Sequence, residues 1–145
     1  MARYSAGVRT AAGSTTLPIA SPYAAAGVSP KLRECGMFNT TTTAVAEKLQ
    51  RLTTTGTQGT SQTEAKYDPD TAVSGGDFRT THTVAPTLGD DLGYRVPLGA
   101  AVGVGVIFIM VDIGIIIPLG TMQGIGVIVV IGIGQIADVY MVWDE

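Results

Sequence analysis

The sequence predicts an all-β fold, a β-sandwich of jelly-roll-like kind over residues 31–145, preceded by an extended N-terminal arm over residues 1–30. Three observations predict it. The apolar region 96–143 is divided by Gly-, Pro- and Asp-bearing breaks into pieces of about 4–8 residues, near the modal strand length, and turns spaced ~8–12 residues apart mark a sandwich or barrel. Gly124-Ile125-Gly126-Val127 and Gly132-Ile133-Gly134 alternate with period two, the pleat of a strand. Eighteen of the nineteen threonines lie before residue 88 and eleven of the twelve isoleucines after residue 106; β-branched side chains of either kind suit a pleated surface.

Length and composition set the limits. With 145 residues the chain is one domain, large enough to bury about 68–70% of its unfolded surface without metals or disulfides. Charged residues make up 14%, against the usual ~25%. A net charge of −3 and no Lys or Arg after Arg95 argue against a nucleic-acid partner, which needs a basic stripe. Cys35 stands alone, so neither an intramolecular disulfide nor a cysteine zinc site is available; it reads as a small buried hydrophobe in a strand. Residues 11–20 mix Ala with Thr, Ser, Gly and Pro and form no apolar signal-peptide core. The expectation is a cytoplasmic product, or a virion component assembled there. The glycosylation match Asn39-Thr40-Thr41 then has no chemical consequence.

Residues 1–30 are small and punctuated by Pro18, Pro22 and Pro30; they lack the large apolar side chains needed to offset their own ordering entropy. They read as an arm that orders on something else, or as a disordered terminus. Residues 31–39 read as the first strand, with Leu32, Gly36 and Phe38 on one face and Cys35 and Met37 on the other. Residues 42–52 fit both a helical face and a pleat, and the flanking threonines decide for a strand that puts Val45, Glu47, Leu49 and Arg51 together. Residues 53–82 hold Asp68-Pro69-Asp70 and Ser74-Gly75-Gly76-Asp77 turn chemistry and little that is apolar. They are expected as a surface excursion contacting a neighbouring subunit. Residues 88–93 read as a further turn, with the strand-rich region beginning at Tyr94; breaks follow at 103–105, 112–114, 118–120 and 132–135.

A membrane alternative arises because residues 113–137 are uncharged for longer than the ~20 residues a spanning helix needs. Gly and β-branched residues, the charge of Asp112, the missing basic anchors after Arg95 and the period-two alternation all oppose it.

No motif carries catalytic chemistry. Gly132-Ile133-Gly134-Gln135-Ile136-Ala137 matches the relaxed dinucleotide fingerprint. The helix, second strand and acidic residue which that fingerprint requires do not follow it, so it is a false match. His82, the only histidine, reads as a hydrogen-bonding surface group. Asp68, Asp70, Asp77, Asp90 and Asp91 lack the spacing of a calcium loop and read as turn residues. The chain is expected to be no enzyme and to carry no cofactor or metal.

Residues 138–145 alternate Val139, Met141 and Trp143 against Tyr140 and Val142, with both faces apolar. That suits a buried strand, or an interface, where Trp and Tyr are enriched.

The stretch Met37-Phe38-Asn39-Thr40-Thr41-Thr42-Thr43-Ala44-Val45-Ala46, with Arg51-Leu52-Thr53-Thr54, resembles small virion proteins of tailed bacteriophages. So do residues 85–95 and the ending Asp138-Val139-Tyr140-Met141-Val142-Trp143-Asp144-Glu145. The resemblance covers most of the chain beyond residue 30. It implies a β-sandwich that decorates and cements a capsid, commonly as a homotrimer, with the major capsid protein and itself as partners and neither nucleic acid nor membrane among them. The expected location is the capsid surface, after assembly in the host cytoplasm. Expected capsid contacts are Arg3, Tyr4 and Arg9 of the arm, and expected subunit-interface residues are Tyr140 and Trp143. A tail or head–tail joining component, or a holin-like membrane hairpin, are the alternatives. The Ile and Val density of residues 104–136 departs from the resemblance and points to a more apolar oligomer contact.

Overall fold

A computed structural model of the chain describes residues 1–25, 27–119 and 123–145. Strands β1 (Arg3–Arg9), β2 (Ala20–Ala24), β3 (Lys31–Asn39), β4 (Val45–Leu52), β5 (Thr60–Gln62) and β6 (Ala65–Lys66) come first. Then follow β7 (Gly76–Thr80), β8 (Leu88–Leu98), β9 (Gly105–Ile109), β10 (Ile115–Ile116), β11 (Gly124–Ile131) and β12 (Ala137–Asp144). All pair antiparallel, in two sheets that pack as a β-sandwich. One has the order β10-β3-β12-β1-β6, with β9 also on β3; the other runs β5-β7-β2-β11-β4-β8. The fold is all-β, as the sequence predicts.

Two strands inserted late in the chain organise both sheets. β12 lies between β1 and β3, and β11 lies between β2 and β4. The Gly132–Gln135 break is the arch between them, with Gly132 and Gly134 at φ of 81° and 86°. The dinucleotide-like match is therefore an inter-sheet turn. Gly120, the last residue of the 118–120 break, lies outside the described residues.

β9 and β10 are successive parts of one interrupted strand along the same edge of β3. Phe38 to Glu34 pair with Gly105 to Ile109, and Leu32 and Lys31 pair with Ile115 and Ile116. Backbone bonds carry the ladder past both ends: Asn39 N–H donates to the Val104 carbonyl and Ile117 N–H to that of Pro30, each at 2.8 Å. Residues 111–114 bulge out between them, where Asp112 takes a φ of 57°, a left-handed conformation that Asp adopts more readily than most residues other than Gly.

Between the sheets, Leu32, Cys35, Met37, Met141 and Tyr4 of one meet Leu49, Phe78, Ile125 and Val127 of the other, all buried. Trp143 is 1% exposed and stacks with Phe78 at 6.3 Å and with Tyr4 at 6.2 Å. Each large side chain enclosed this way stabilises the fold by about 1.5–3 kcal/mol.

Four expectations are corrected. Residues 1–30 are not a separate arm: β1 pairs along its whole length with β12, and every residue of β2 is buried. Small side chains such as Ala6, Ala20 and Ala24 are enough because the two sheets already enclose them. Pro22, unexpected in a central strand, lies between the only two β2–β11 pairs, Tyr23–Gly124 and Ala20–Val127. Leu32 faces the core with Cys35 and Met37, because a register shift opposite Val142 and Trp143 turns the strand by one residue. The 53–82 excursion contains β5, β6 and β7, and β7 pairs with β2 and buries Phe78. Residues 88–93 lie within β8, as irregular strand: Gly93 has a φ of 79°, and its N–H donates to Asp91 Oδ1 at 2.9 Å.

Candidate interaction surface

Period two decides what the outer face of the β3–β12–β1 sheet presents. Gly36 and Phe38 of β3, Asp138 and Tyr140 of β12, and Gly7 and Arg9 of β1 alternate with the core residues and share this face. The Tyr140 ring lies over Gly36, and Phe38 lies over Gly105. The two rings are nearly parallel, 6.2 Å apart, and the Tyr140 hydroxyl donates to Glu34. Burial and the nearby Glu34 carboxylate both push the Tyr140 phenol up from its ordinary value. A shallow depression follows beside Gly7, lined by Arg9, Phe38, Asp138 and Tyr140.

The sequence-predicted contact residues divide between surface and core. Arg3 donates to Asp144 through Nε at 2.7 Å and Nη2 at 3.1 Å, and Arg33 Nε lies 3.1 Å from the same carboxylate. The Arg3 hydrogen bonds, then its charge, hold Asp144 below its usual range. Arg9 binds Asp138 through two bonds of 2.9 Å and stays exposed. Tyr4 is a core residue whose hydroxyl donates to the Ala72 carbonyl at 3.0 Å. Its expected place on a free arm is corrected, because β1 turns it inward opposite Trp143. Trp143 is corrected likewise: its ring is enclosed within the subunit, and its Nε1–H donates to Glu145 at 3.1 Å. Tyr140 remains on the outer face, half-buried. The fold thus brings Arg3, Tyr4 and Trp143 together at one end of the β1–β12 pair, and Arg9 and Tyr140 toward the other.

A second surface was not resolvable residue by residue in the sequence. Along the β9–β10 edge, Ile107 and Ile109 point outward while Val106 and Phe108 pack inward. Val102 and Val104 precede them, exposed; Val111 and Ile113 sit exposed in the bulge; Ile116 and Leu119 follow. They make one apolar belt along a sheet edge. At its inner side Phe108 meets Tyr94 of β8 edge-on at 5.3 Å, closing the sandwich between the two sheets. Among the described residues no strand pairs with the outer edge of β9 or β8. The sequence signal was the uncharged Ile- and Val-rich run; its uniform apolarity concealed which side faces out.

Glu47 and His82 are two of the buried polar residues that bear on chemistry. Glu47 faces the interior at 1% exposure, and neither carboxylate oxygen has a hydrogen-bond partner among the described residues. Burial pushes its carboxyl up to about 7. His82 is buried rather than at the surface: its ring lies against Ser21 and Tyr23 of β2, and the residues after it are held to Thr57 by a bridge at Val84. Its Nε2 lies 2.7 Å from Ser21 Oγ, while Nδ1 has no partner among the described residues. The spacing is that of a nucleophile and base, but among the described residues no third group orients the ring, and Ser21 is fully enclosed. Burial, then the Arg79 charge, lowers the His82 pKa from its usual value.

Among the described residues no group of three His, Cys, Asp or Glu side chains is placed to hold a metal ion. Nor, among the described residues, is any helix long and apolar enough to cross a membrane. No family model matches the chain, and neither a curated protein nor a solved structure matches it.

Proposed function

We propose that the chain is a structural virion protein that decorates and stabilises a bacteriophage capsid by bridging neighbouring major capsid subunits. The observation that carries this reading is the apolar belt along the β9–β10 edge. It sits on a sandwich whose core is already filled by its own side chains, and contiguous exposed apolar surface marks an interaction site.

The strand order supports it. Without β5, β6 and β7, the chain runs β9/β10-β3-β12-β1 in one sheet and β2-β11-β4-β8 in the other. We read that arrangement as a jelly roll, an architecture shared by viral capsid domains, lectins and cupins. Architecture alone does not assign function, so the resemblance of residues 37–54, 85–95 and 138–145 to small phage virion proteins supplies the remaining support. In this reading the protein sits on the capsid surface after assembly in the host cytoplasm, and its partners are the major capsid protein and further copies of itself. Arg9 and the neighbouring Tyr140 remain exposed enough to join a contact.

Copy number in purified particles tests the reading. Gentle disassembly should release the protein in hundreds of copies while leaving tails attached. About six or twelve copies, as cyclic symmetry at a single vertex gives, would place it in a tail or joining structure instead. Light scattering on the released protein reads the homotrimer that the resemblance implies.

A further inference from the structure

We infer that the β9 edge is a contact between two copies of this chain, which pair antiparallel about Ile107 and join their sheets into one.

The edges of the sandwich differ in how they are protected. β8 carries Asp90, Asp91, Arg95 and Pro97, the charges and proline that keep an edge from pairing. β5 and β6 span only three and two residues. β9, Gly-Val-Ile-Phe-Ile, has neither charge nor proline and is preceded by exposed Val104. It is a template for a further strand, and backbone bonds across such an edge turn unpaired N–H and C=O groups into affinity.

A second copy fits that edge in charge and covers part of the apolar belt. In the register centred on Ile107, Gly105 meets Ile109 and Val106 meets Phe108, so the inward pair continues the core side and the isoleucines form one outer face. No charged residue lies between 96 and 111 in either copy, and Asp112 falls opposite Val102. Like charges are therefore never opposed, while a basic or acidic partner would find nothing to pair with.

The eight exposed belt residues are on average more than half exposed. At ~60–120 Å² of apolar surface per fully exposed side chain, they amount to roughly 300–500 Å². A standard interface takes about 800 Å² from each partner, and its apolar share is roughly 450–500 Å². Edge pairing reaches only Val102, Val104, Ile107 and Ile109 of the belt, a small and reversible contact, and leaves Val111, Ile113, Ile116 and Leu119 exposed for another partner. The bulge at residues 111–114 limits pairing to β9 and its flanks. An antiparallel strand pair is two-fold by construction, so a trimer would have to use another surface.

The experiment uses the full chain. Sedimentation across the micromolar range should show a reversible dimer for the wild type and for Ile107→Leu. Ile107→Lys should raise the dissociation constant by at least about 100-fold, since two lysines would meet on the axis, with an unchanged far-ultraviolet spectrum. Ile107→Cys should cross-link to a covalent dimer under mild oxidation, because facing Cβ atoms in a strand pair lie ~4.5–5.5 Å apart. The wild type, whose one thiol is buried, should not cross-link. A wild type that is monomeric throughout overturns the inference. So does any oligomer, trimer included, that Ile107→Lys leaves intact and Ile107→Cys fails to cross-link. Should Ile107→Lys misfold, Ile109→Lys and the cross-link decide. These results are independent of particle copy number, so the contact and the virion reading can fail separately.

Discussion

Tyr140 occupies the space that a side chain at Gly36 would need. The residues face each other across β12 and β3, and a Cβ at position 36 would sit 2.1 Å from the tyrosine ring. Gly105 stands in the same relation to Phe38 on the next strand. Both aromatic rings thereby shield glycines of the outer face, and the flatness of that face depends on the two absent side chains.

Gly36→Ala should therefore destabilise the protein by about 1–3 kcal/mol, the usual cost of overpacking, as read by urea denaturation. In the Gly36→Ala/Tyr140→Ala double variant most of that added cost should vanish, since the obstructing ring is gone. Equal cost in both backgrounds would show that the ring is not the cause.

Glu47 makes the fold prefer mild acid. Its carboxyl ionises near 4.5 when unfolded and at about 7 when folded, so the native state holds the extra proton. The resulting contribution is fully present below 4.5 and is lost as pH rises through 7. Glu47→Gln should thus match the wild type near pH 4 and exceed it near pH 8 by on the order of 2–3 kcal/mol. Denaturation midpoints at the two pH values check it; a gap that does not widen with pH refutes the buried charge.

His82 tilts the profile the other way. Its folded pKa lies below the unfolded 6.5, so the unfolded chain binds the proton more readily. The stability it contributes is present above 6.5 and lost as pH falls from there toward the folded pKa. Comparing stability between about pH 7 and pH 5, His82→Gln should lose less than the wild type on acidification, and Glu47→Gln should lose more. Identical slopes in all three proteins would remove both residues from the account.

The legible parts of the fold were those in which side-chain chemistry speaks locally. β3 has the limits expected for residues 31–39, and β4 puts Val45, Glu47, Leu49 and Arg51 on one pleat as read. Residues whose role comes from partners far along the chain were not legible. Ala6 and Ala20 are core residues only because β12 and β7 lie against them. Leu32 changes face through a single register shift, which no alternation rule can locate in advance. His82 reads as a loop histidine because the β2 residues that enclose it, Ser21 and Tyr23, lie some sixty positions earlier in the chain. In the contact surface, Val106, Ile107, Phe108 and Ile109 are alike in apolarity, so the inward and outward pairs separate only once Phe108 is seen against Tyr94.

The placement of β11 and β12 also bears on how the molecule comes together. Both are central in their sheets, yet they follow the other ten described strands along the chain. Until β12 arrives, β1 has only the two-residue β6 beside it; until β11 arrives, nothing joins β2 to β4. No subset of earlier strands is a finished half. Partial pairs such as β2–β7, β3–β9 and β4–β8 can form earlier, but the two sheets close only with β11 and β12, in a late step dominated by distant contacts, the kind that folds slowly.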